Sequence, residues 1–210
     1  MLKLLLVDDH ELIRAGLKHV LQAGLGSMLV GEARNVDEAL ALAAQEPWDL
    51  AITDITLPGR SGLELLKELR TLYPKMPVLV ISVLSEDEIA VRVLKAGAAG
   101  FLHKETSGEN IANAVRKVLA GGKYVSPALA EKFATSMTTP PTEEPHKKLS
   151  DREYLVMTML AGGQTLTEIG KILALSIKTI STYRSRILQK MQLDNNSELT
   201  RYALKHGLVD

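Results

Sequence analysis

The sequence predicts a two-domain protein: a doubly wound α/β domain on a five-stranded parallel sheet, then a small all-helical domain of four helices. Three observations lead to this prediction. Up to about residue 120, short apolar runs alternate with stretches whose apolar residues recur at helical spacing. A proline-rich segment then interrupts the pattern, and only helical spacing follows it. The chain of 210 residues is long enough for two separate cores.

The predicted strands are apolar along their whole length, which is typical of strands that helices cover on both faces. They comprise residues 2–7, 28–33, 50–53, 78–82 and 100–102. Each strand precedes a stretch of helical spacing, over residues 11–21, 36–45, 62–72, 87–96 and 108–120. Because parallel neighbours need a crossover connection, five strand–helix units in strict alternation predict a parallel sheet.

The segment between the two domains differs in composition from both. Residues 137–145 contain three prolines and almost no apolar side chains, which favours a linker. The alternative is an ordered surface loop of one large domain. The predicted boundaries are 1–122 for the α/β domain, 123–147 for the linker and 148–210 for the helical domain.

The helical domain opens with a capping box, in which Ser150 is the N-cap and Glu153 is the third helical residue. This first helix extends to about residue 161 and stops at two glycines. Further helices are predicted over residues 165–174, 177–191 and 197–205. Gly207 suits the position just after the last helix, where glycine commonly ends helices.

The net charge is zero, from 25 basic and 25 acidic side chains, but the distribution is uneven. Residues 1–125 carry 14 basic and 16 acidic groups, residues 126–148 three of each, and residues 149–210 eight and six. Residues 171–190 contain five basic side chains and no acidic one: Lys171, Lys178, Arg184, Arg186 and Lys190. A neutral sum therefore does not exclude a nucleic-acid partner.

Several classes of protein are excluded or disfavoured. The absence of cysteine excludes disulfide frameworks, thiolate nucleophiles and cysteine metal sites, and favours a reducing compartment. The N-terminal apolar run ends at Asp8 and Asp9, too early for a signal peptide. No stretch reaches the roughly 18 uncharged apolar residues of a membrane span. We expect a cytoplasmic protein with no membrane partner.

Polar side chains follow the predicted strands at the carboxyl edge of the sheet, where open α/β sheets bind ligands. Asp8 and Asp9 follow the first strand and Asp54 the third, while Ser82 ends the fourth and Lys104 follows the fifth. Clustered carboxylates repel one another, so such a site normally holds Mg²⁺ or Mn²⁺. Together these groups suit phosphoryl transfer onto a carboxylate. For Asp8 and Asp9 alone, helix capping is the alternative.

Residues 1–120 resemble the receiver domain of bacterial response regulators. The resemblance is carried by Leu5-Leu6-Val7-Asp8-Asp9-His10, Asp54-Ile55-Thr56-Leu57-Pro58-Gly59-Arg60-Ser61-Gly62, Ser82 and Gly100-Phe101-Leu102-His103-Lys104. It implies a flavodoxin-like strand order of 2-1-3-4-5 and a phosphoryl group accepted by Asp54 from a sensor histidine kinase. Two residues depart from the usual pattern: Leu57 replaces a common methionine, and Glu105 replaces the proline that often follows the lysine.

The resemblance also implies individual roles. Asp9, Asp54 and the Thr56 carbonyl would bind Mg²⁺ directly, and Asp8 would act mainly through water.

Ser82 and Lys104 would contact the phosphoryl oxygens. Phe101 would be the aromatic residue that turns inward on activation, with plain core packing as the alternative.

Residues 177–191 predict an amphipathic helix. Ile177, Ile180, Ile187, Leu188 and Met191 share one face, whereas Lys178, Thr182, Ser185, Arg186 and Gln189 lie opposite, with Ser181 at the flank. A helix, a short break and then this helix form a helix-turn-helix, whose second member fits the DNA major groove. The alternative is an ordinary solvated face of a small helical bundle.

Residues 147–209 resemble the LuxR-type DNA-binding domain. The matching segments are Leu149-Ser150-Asp151-Arg152-Glu153, Ala161-Gly162-Gly163, Glu168-Ile169, Leu175-Ser176-Ile177-Lys178-Thr179-Ile180, Lys190-Met191 and Gly207-Leu208. The resemblance implies a DNA-contacting surface in which Ser181, Thr182 and Ser185 meet bases, Lys178 and Arg186 meet phosphates, and Thr179 adjoins them. That family often has lysine at positions 181 and 185 and histidine at 183. Arg184 lies near the apolar face, which indicates a structural role.

In this family the last helix provides a two-fold dimer contact, here with Asn195, Asn196 and Leu199 nearby. Taken together, the features predict a NarL/FixJ-type response regulator that binds an inverted-repeat site in double-stranded DNA as a homodimer when active. Two alternatives stay open at this point. One is a Mg²⁺-dependent phosphohydrolase with an aspartyl-phosphate intermediate, and the other is a receiver protein whose helical domain binds protein.

Overall fold

The computed structural model describes residues 1–84, 86–127, 129–131 and 144–209, with the backbone alone for residues 86–88. The chain divides into two compact units, Met1–Ala130 and Glu131–Asp210. Most of the proline-rich segment, including Pro140 and Pro141, lies outside the described residues. The boundaries 1–122, 123–147 and 148–210 therefore stay predictions.

The first unit is a five-stranded parallel sheet in the order β2-β1-β3-β4-β5, which confirms the predicted fold class and strand order. Its strands are β1 Leu2–Val7, β2 Met28–Ala33, β3 Leu50–Asp54, β4 Val78–Ser82 and β5 Gly100–His103. Its helices are α1 Glu11–Leu25, α2 Val36–Gln45, α3 Gly62–Leu72, α4 Glu86–Lys95 and α5 Gly108–Leu119. The bounds differ from the prediction only near element ends, most at α1, which continues past residue 21.

The central strands form a rigid frame for the polar side chains at their carboxyl ends. Every residue of β3 and β4 is buried, as expected for strands covered on both faces. On one side of the sheet, leucine and isoleucine side chains from β1, β3 and β4 form a core with α1 and α5. Because packing of this kind leaves little freedom, the side chains at the strand ends are held in fixed relative positions.

The connection from β3 to α3 brings two backbone segments unusually close. The Gly62 N–H donates to the Ile55 carbonyl at 2.9 Å, and a Cβ at Gly62 would lie 1.7 Å from the Asp54 carbonyl oxygen. Ser61 caps α3 and forms a capping box with Glu64. Glycine at position 62 is thus required by the close approach of α3 to the end of β3.

The described part of the second unit contains four α-helices, which confirms the predicted all-helical domain. They are α6 Asp151–Ala161, α7 Leu166–Ile172, α8 Ile177–Met191 and α9 Asn196–Lys205, preceded by a 3-10 turn at Pro145–Lys148. Helix α6 is buried on all sides from Glu153 onward and packs against α8 and α9. The predicted capping box of Ser150 and Glu153 is present. Among the described helices, none is both long and apolar enough to cross a membrane.

Substituting Gly62 by alanine tests the close approach of α3. Gly62→Ala should destabilise the first unit by about 2 kcal/mol or more, because the added methyl meets a backbone atom. Gly16→Ala in α1 is the matched control: its Cβ meets nothing within 4 Å, so it should be neutral or stabilise by about 0.5–1 kcal/mol. Fluorescence of Trp48, the single tryptophan, follows urea unfolding of this unit. Equal effects of the two substitutions would contradict the account.

Candidate functional site

Two carboxylates lie side by side at the carboxyl edge of the sheet. Val7 pairs with Thr53 in adjacent parallel strands, so the next residues, Asp8 and Asp54, are neighbours. Both are only 1% exposed. Asp54, predicted to follow β3, is its last residue. Two acidic groups are therefore withdrawn from water next to each other, where repulsion between them is strong.

A single lysine neutralises part of this charge. Lys104 Nζ donates to Asp8 Oδ2 at 2.6 Å and to Asp54 Oδ2 at 2.8 Å. The Lys104 backbone N–H donates to the Ser82 carbonyl at 2.8 Å, which ties the residue to the end of β4. The Ser82 hydroxyl is fully buried and accepts the Leu84 N–H at 3.1 Å, so its own hydrogen is available to another acceptor.

The burial of this cluster changes its acid–base properties. Burial raises the pKa of the Asp54 carboxyl, and the charge of Asp8 adds to the effect, while Lys104 and the backbone amide of Thr56 oppose it only in part. Burial by itself would lower the pKa of Lys104, but Asp54 and Asp8 outweigh it and the pKa is raised. The ammonium is consequently held in its charged form between the two carboxylates.

Asp9 and His10 form the outer part of the cluster. One ligand atom each from Asp8, Asp9 and His10 can lie within 4.8 Å of one another. His10 Nδ1 lies 2.9 Å from Asp9 Oδ1 and 3.2 Å from Asp8 Oδ1. Asp8 thus belongs to two groups, one with Asp9 and His10 and the other with Asp54 and Lys104.

One oxygen of the cluster lacks a donor, and a second has only an exposed imidazole beside it. Within the described residues, the buried Asp54 Oδ1 accepts no hydrogen bond of normal geometry, and Asp9 Oδ1 has His10 Nδ1 at 2.9 Å without forming such a bond. Buried carboxylate oxygens are rarely left in this state, because an unsatisfied acceptor costs desolvation energy. Such oxygens are the ligands that hard divalent cations prefer. The donor set therefore fits Mg²⁺ or Mn²⁺.

Arg14 is a part of the site that the sequence analysis missed. Its guanidinium is buried, donates from Nη1 to the Asp8 carbonyl at 2.6 Å, and lies 3.3 Å from Glu32 Oε2 through Nε. It shares the buried face of α1 with Leu17 and Leu21, at helical spacing. The clue in the sequence was an arginine on an otherwise apolar helix face. In the structure this arginine positions the backbone of the acidic loop.

Phe101 lies in the interior, with no exposed surface, and its N–H donates to the Tyr124 carbonyl at 3.2 Å. The ring is on the inside of the unit in this structure. Its role as a switch stays a prediction.

The helix-turn-helix is formed by α7 and α8. Ser176 caps α8 by accepting the Thr179 N–H at 3.1 Å. Ile180, Ile187, Leu188 and Met191 are buried, as the spacing predicted. Ile177 differs: it is 53% exposed, because it occupies the first turn of α8, before the helix enters the core. One long face of α8 is thereby left open to solvent.

The open face of α8 carries cations and hydroxyls. Lys178, Thr182, Ser185 and Arg186 are exposed, and Thr179 and Ser181 are half-buried at its margin. The Thr182 hydroxyl donates to the Lys178 carbonyl at 3.0 Å and the Ser185 hydroxyl to the Ser181 carbonyl at 3.1 Å. Considering the described residues only, Lys178 and Arg186 have no carboxylate within ion-pair distance. Their charges are therefore available to an external anion.

Two of the five basic residues of the predicted stripe have structural roles instead. Lys190 Nζ lies 2.6 Å from Glu153 Oε2, which joins α8 to the start of α6. Burial alone would raise the pKa of Glu153, but Lys190 and Ser150 more than offset it and hold the pKa below its usual value. Arg184 Nε donates to Asn196 Oδ1 at 2.7 Å, as its position near the apolar face indicated.

The residues predicted at the dimer contact are in part engaged within the unit. Asn195 caps α9 by accepting the Glu198 N–H at 3.0 Å, and Asn196 accepts from Arg184. Leu199 is fully buried in the core, so it can support a contact surface but cannot itself touch a partner. Asn195 is the exposed member of the three.

Comparison with known proteins agrees with this division into two sites. A family model for the response regulator receiver domain matches residues 4–116, and a model for bacterial regulatory proteins of the luxR family matches residues 147–203. The response regulator UvrY of Escherichia coli (strain K12) is 35% identical over all of this chain and 97% of its own length.

The chain belongs to the response regulators. The response regulator GacA of Pseudomonas protegens is similar to it to the same degree, with 36% identity over all of this chain and 99% of GacA. The combination of receiver and luxR-type domains makes it a DNA-binding response regulator of the NarL/FixJ type.

A solved structure supports the fold alone. RcsB of Salmonella enterica serovar Typhimurium, bound to promoter rprA with the phosphomimetic BeF3-, is similar with a TM-score of 0.66 over 96% of this chain and 98% of that chain. The identity is 24%. In the present chain, the acidic cluster lies in the part that the receiver-domain model matches, and α8 lies in the part that the luxR-family model matches.

Proposed function

We propose that phosphorylation of Asp54 by a sensor histidine kinase controls DNA binding by this response regulator. The observation that carries the proposal is the state of the Asp54 carboxylate. It is buried, one oxygen is hydrogen-bonded to Lys104, and the other has no hydrogen bond within the described residues. A carboxylate with a neighbouring cation and an uncommitted oxygen is suited to act as a nucleophile.

In the proposed reaction the Asp54 carboxylate forms a bond to phosphorus while the bond between phosphorus and the kinase histidine nitrogen breaks. The Lys104 ammonium, which already lies 2.8 Å from Asp54, is positioned to neutralise charge on the transferred phosphoryl oxygens. The Ser82 hydroxyl can donate its hydrogen to the same group. Arg14 acts through the backbone, because it holds the Asp8 carbonyl.

Asp8, Asp9, Asp54 and the Thr56 carbonyl would hold a Mg²⁺ ion, or Mn²⁺ in its place. When bound, this ion would supply positive charge to the phosphoryl oxygens. The fit rests on the neighbouring carboxylates of Asp8, Asp9 and Asp54, and on the buried Asp54 Oδ1, which accepts no hydrogen bond of normal geometry within the described residues.

Phosphorylation would be transmitted because Lys104 and Ser82 would exchange their present partners for the phosphoryl oxygens. Before phosphorylation, Lys104 is shared between Asp8 and Asp54. The phosphoryl group would compete for both Lys104 and Ser82 and thereby shift the populations of two receiver states. Phe101, buried on the neighbouring strand, would report that shift by its position.

The α8 face would bind double-stranded DNA. Lys178 and Arg186 would contact phosphates, and Thr182, Ser185, Ser181 and Thr179 would lie against the major groove. The active species would be a homodimer with Asn195 near the contact, on an inverted-repeat site. The protein would act in the cytoplasm, where the bacterial chromosome is.

The two alternatives have less support. A phosphohydrolase of this type usually carries a second carboxylate two residues after the nucleophile, and Thr56 occupies that position. A helical domain that binds protein would not need exposed, unpaired cations along one helix face. We therefore propose a regulator with no enzymatic turnover of its own.

The phosphorylation proposal predicts a response that depends on Asp54. With a small phosphodonor and Mg²⁺, the wild-type protein should dimerise and bind promoter DNA more tightly, by about 10-fold or more. Asp54→Asn should show neither change, because an amide cannot accept the phosphoryl group. Sedimentation and a DNA titration measure the two effects. A wild-type-like response of Asp54→Asn refutes the proposal, and sustained hydrolysis of phosphomonoesters would favour the enzyme instead.

The recognition-helix proposal predicts a loss of DNA affinity from changes on the α8 face. Lys178→Ala with Thr182→Ala should weaken binding about 10-fold or more and reduce the salt dependence by about one phosphate contact. Lys205→Ala at the end of α9 removes the same charge away from this face and should change affinity little. Fluorescence anisotropy at two salt concentrations measures both. Unchanged binding of the double variant at raised salt means that α8 is not the recognition helix.

A further inference from the structure

The edge of the sheet opposite to Asp54 contains a cavity with no part in phosphorylation. Its volume is about 730 Å³. The wall includes Asp49, Pro77 and Ala99, which stand just before β3, β4 and β5, whereas Asp54, Ser82 and Lys104 lie at the other ends of those strands. The cavity is thus separated from the receiver site by the length of the strands.

The lining of this cavity is basic. Arg70, Lys75 and Lys123 line it, and Asp49 is the acidic group among the lining residues. The Asp49 carboxylate already accepts the Lys3 N–H at 2.8 Å. For Lys75 and Lys123 the described part of the chain offers no carboxylate partner, and Arg70 donates only to the Pro74 carbonyl, at 2.6 Å. Three cations and one carboxylate therefore border one concave surface, and this excess of positive charge favours an anionic ligand.

A second cavity of about 530 Å³ adjoins the first and shares Asp49 and Lys75 with it. Its walls are mostly apolar and aromatic, with Tyr73, Trp48 and Met76 among them, and they also include Glu46, which is paired with Lys3. The indole N–H of Trp48 already donates a hydrogen bond to the Leu42 carbonyl, at 3.0 Å. Trp48 is only 8% exposed and its ring packs against Gly31, so the half-buried Tyr73 supplies the ring surface that a ligand can reach.

We propose that these two cavities together bind a nucleotide. The phosphate would lie among Arg70, Lys75 and Lys123, and the base would pack against the Tyr73 ring, near the exposed edge of Trp48. Both volumes are within the range of small-molecule sites, and a few charged groups beside an apolar wall are the usual composition of such sites. Guanidinium and ammonium groups bind phosphate oxygens by charge-assisted hydrogen bonds.

The nucleotide assignment accounts for both halves of the site. Inorganic phosphate would contact the cations of the first cavity and leave the second cavity empty. An uncharged ring would occupy only the second cavity. A ligand that carries both an aromatic ring and a phosphate satisfies the two together. The site is independent of the proposed phosphorylation of Asp54, so either proposal can fail alone.

The test is a titration of the full-length protein with AMP in the presence of EDTA, so that the carboxylate cluster cannot recruit the nucleotide through a metal ion. Trp48 is the single tryptophan, so its fluorescence reports binding at this site, and calorimetry gives the affinity. AMP should cause a saturable change. Adenosine and inorganic phosphate should each bind more weakly than AMP, because each makes half of the contacts.

Two variants and a matched control locate the ligand. Lys75→Gln should weaken AMP binding about 10-fold, the effect of losing one charge-assisted contact. Tyr73→Leu should weaken AMP but leave phosphate binding unchanged. Arg34→Gln removes one positive charge from an exposed residue outside both cavities and should have no effect.

Three results overturn the proposal: no saturable change with AMP, equal loss in Lys75→Gln and Arg34→Gln, or phosphate binding as tightly as AMP. The first means that neither cavity is a site. The second reduces the effect to general charge attraction. The third removes the role of the aromatic cavity.

Discussion

The structure of the first unit depends on placing two buried carboxylates, Asp8 and Asp54, next to each other with one ammonium between them. Burial of like charges is unfavourable, and Lys104 neutralises only one of the two. The surrounding fold maintains this arrangement. The register of β1 and β3 sets the spacing, Arg14 holds the Asp8 backbone, and Gly62 lets α3 approach the end of β3.

In the second unit, the charged groups proposed to bind a ligand are exposed, whereas those of the first unit are buried. Its helix α8 has one buried face, while the exposed face carries Lys178 and Arg186 without carboxylate partners in the described residues. Lys190 is used to fix α8 to Glu153, so basic side chains on one helix are divided between packing and binding. This division gives the helix a defined position as well as available charge, and DNA recognition needs both.

Sequence patterns predicted the strands, the helices and their order, because apolar periodicity depends on local spacing that the fold preserves. They also located the residues at the strand ends. They did not reveal that Lys104 bridges two carboxylates or that Lys190 pairs with Glu153, since these contacts join residues far apart in the chain. They also did not reveal that Arg14 supports Asp8, since that bond ends on a backbone carbonyl, which the residue type does not mark. The burial of Leu199 and the exposure of Ile177 likewise depend on where each helix enters the core.

The fold holds the charged Asp54 carboxylate at a cost in stability. Because burial raises its pKa above the unfolded value, this group stabilises the fold below the unfolded pKa, and that contribution is lost as pH rises through the folded pKa. The direct measurement is the free energy of unfolding of wild type and Asp54→Asn, followed by Trp48 fluorescence from neutral to acidic pH. Asp54→Asn should be more stable at neutral pH by about 1 kcal/mol, a usual gain when functional-site strain is removed. The difference should disappear as Asp54 becomes protonated. Equal or lower stability of Asp54→Asn at neutral pH would contradict the account.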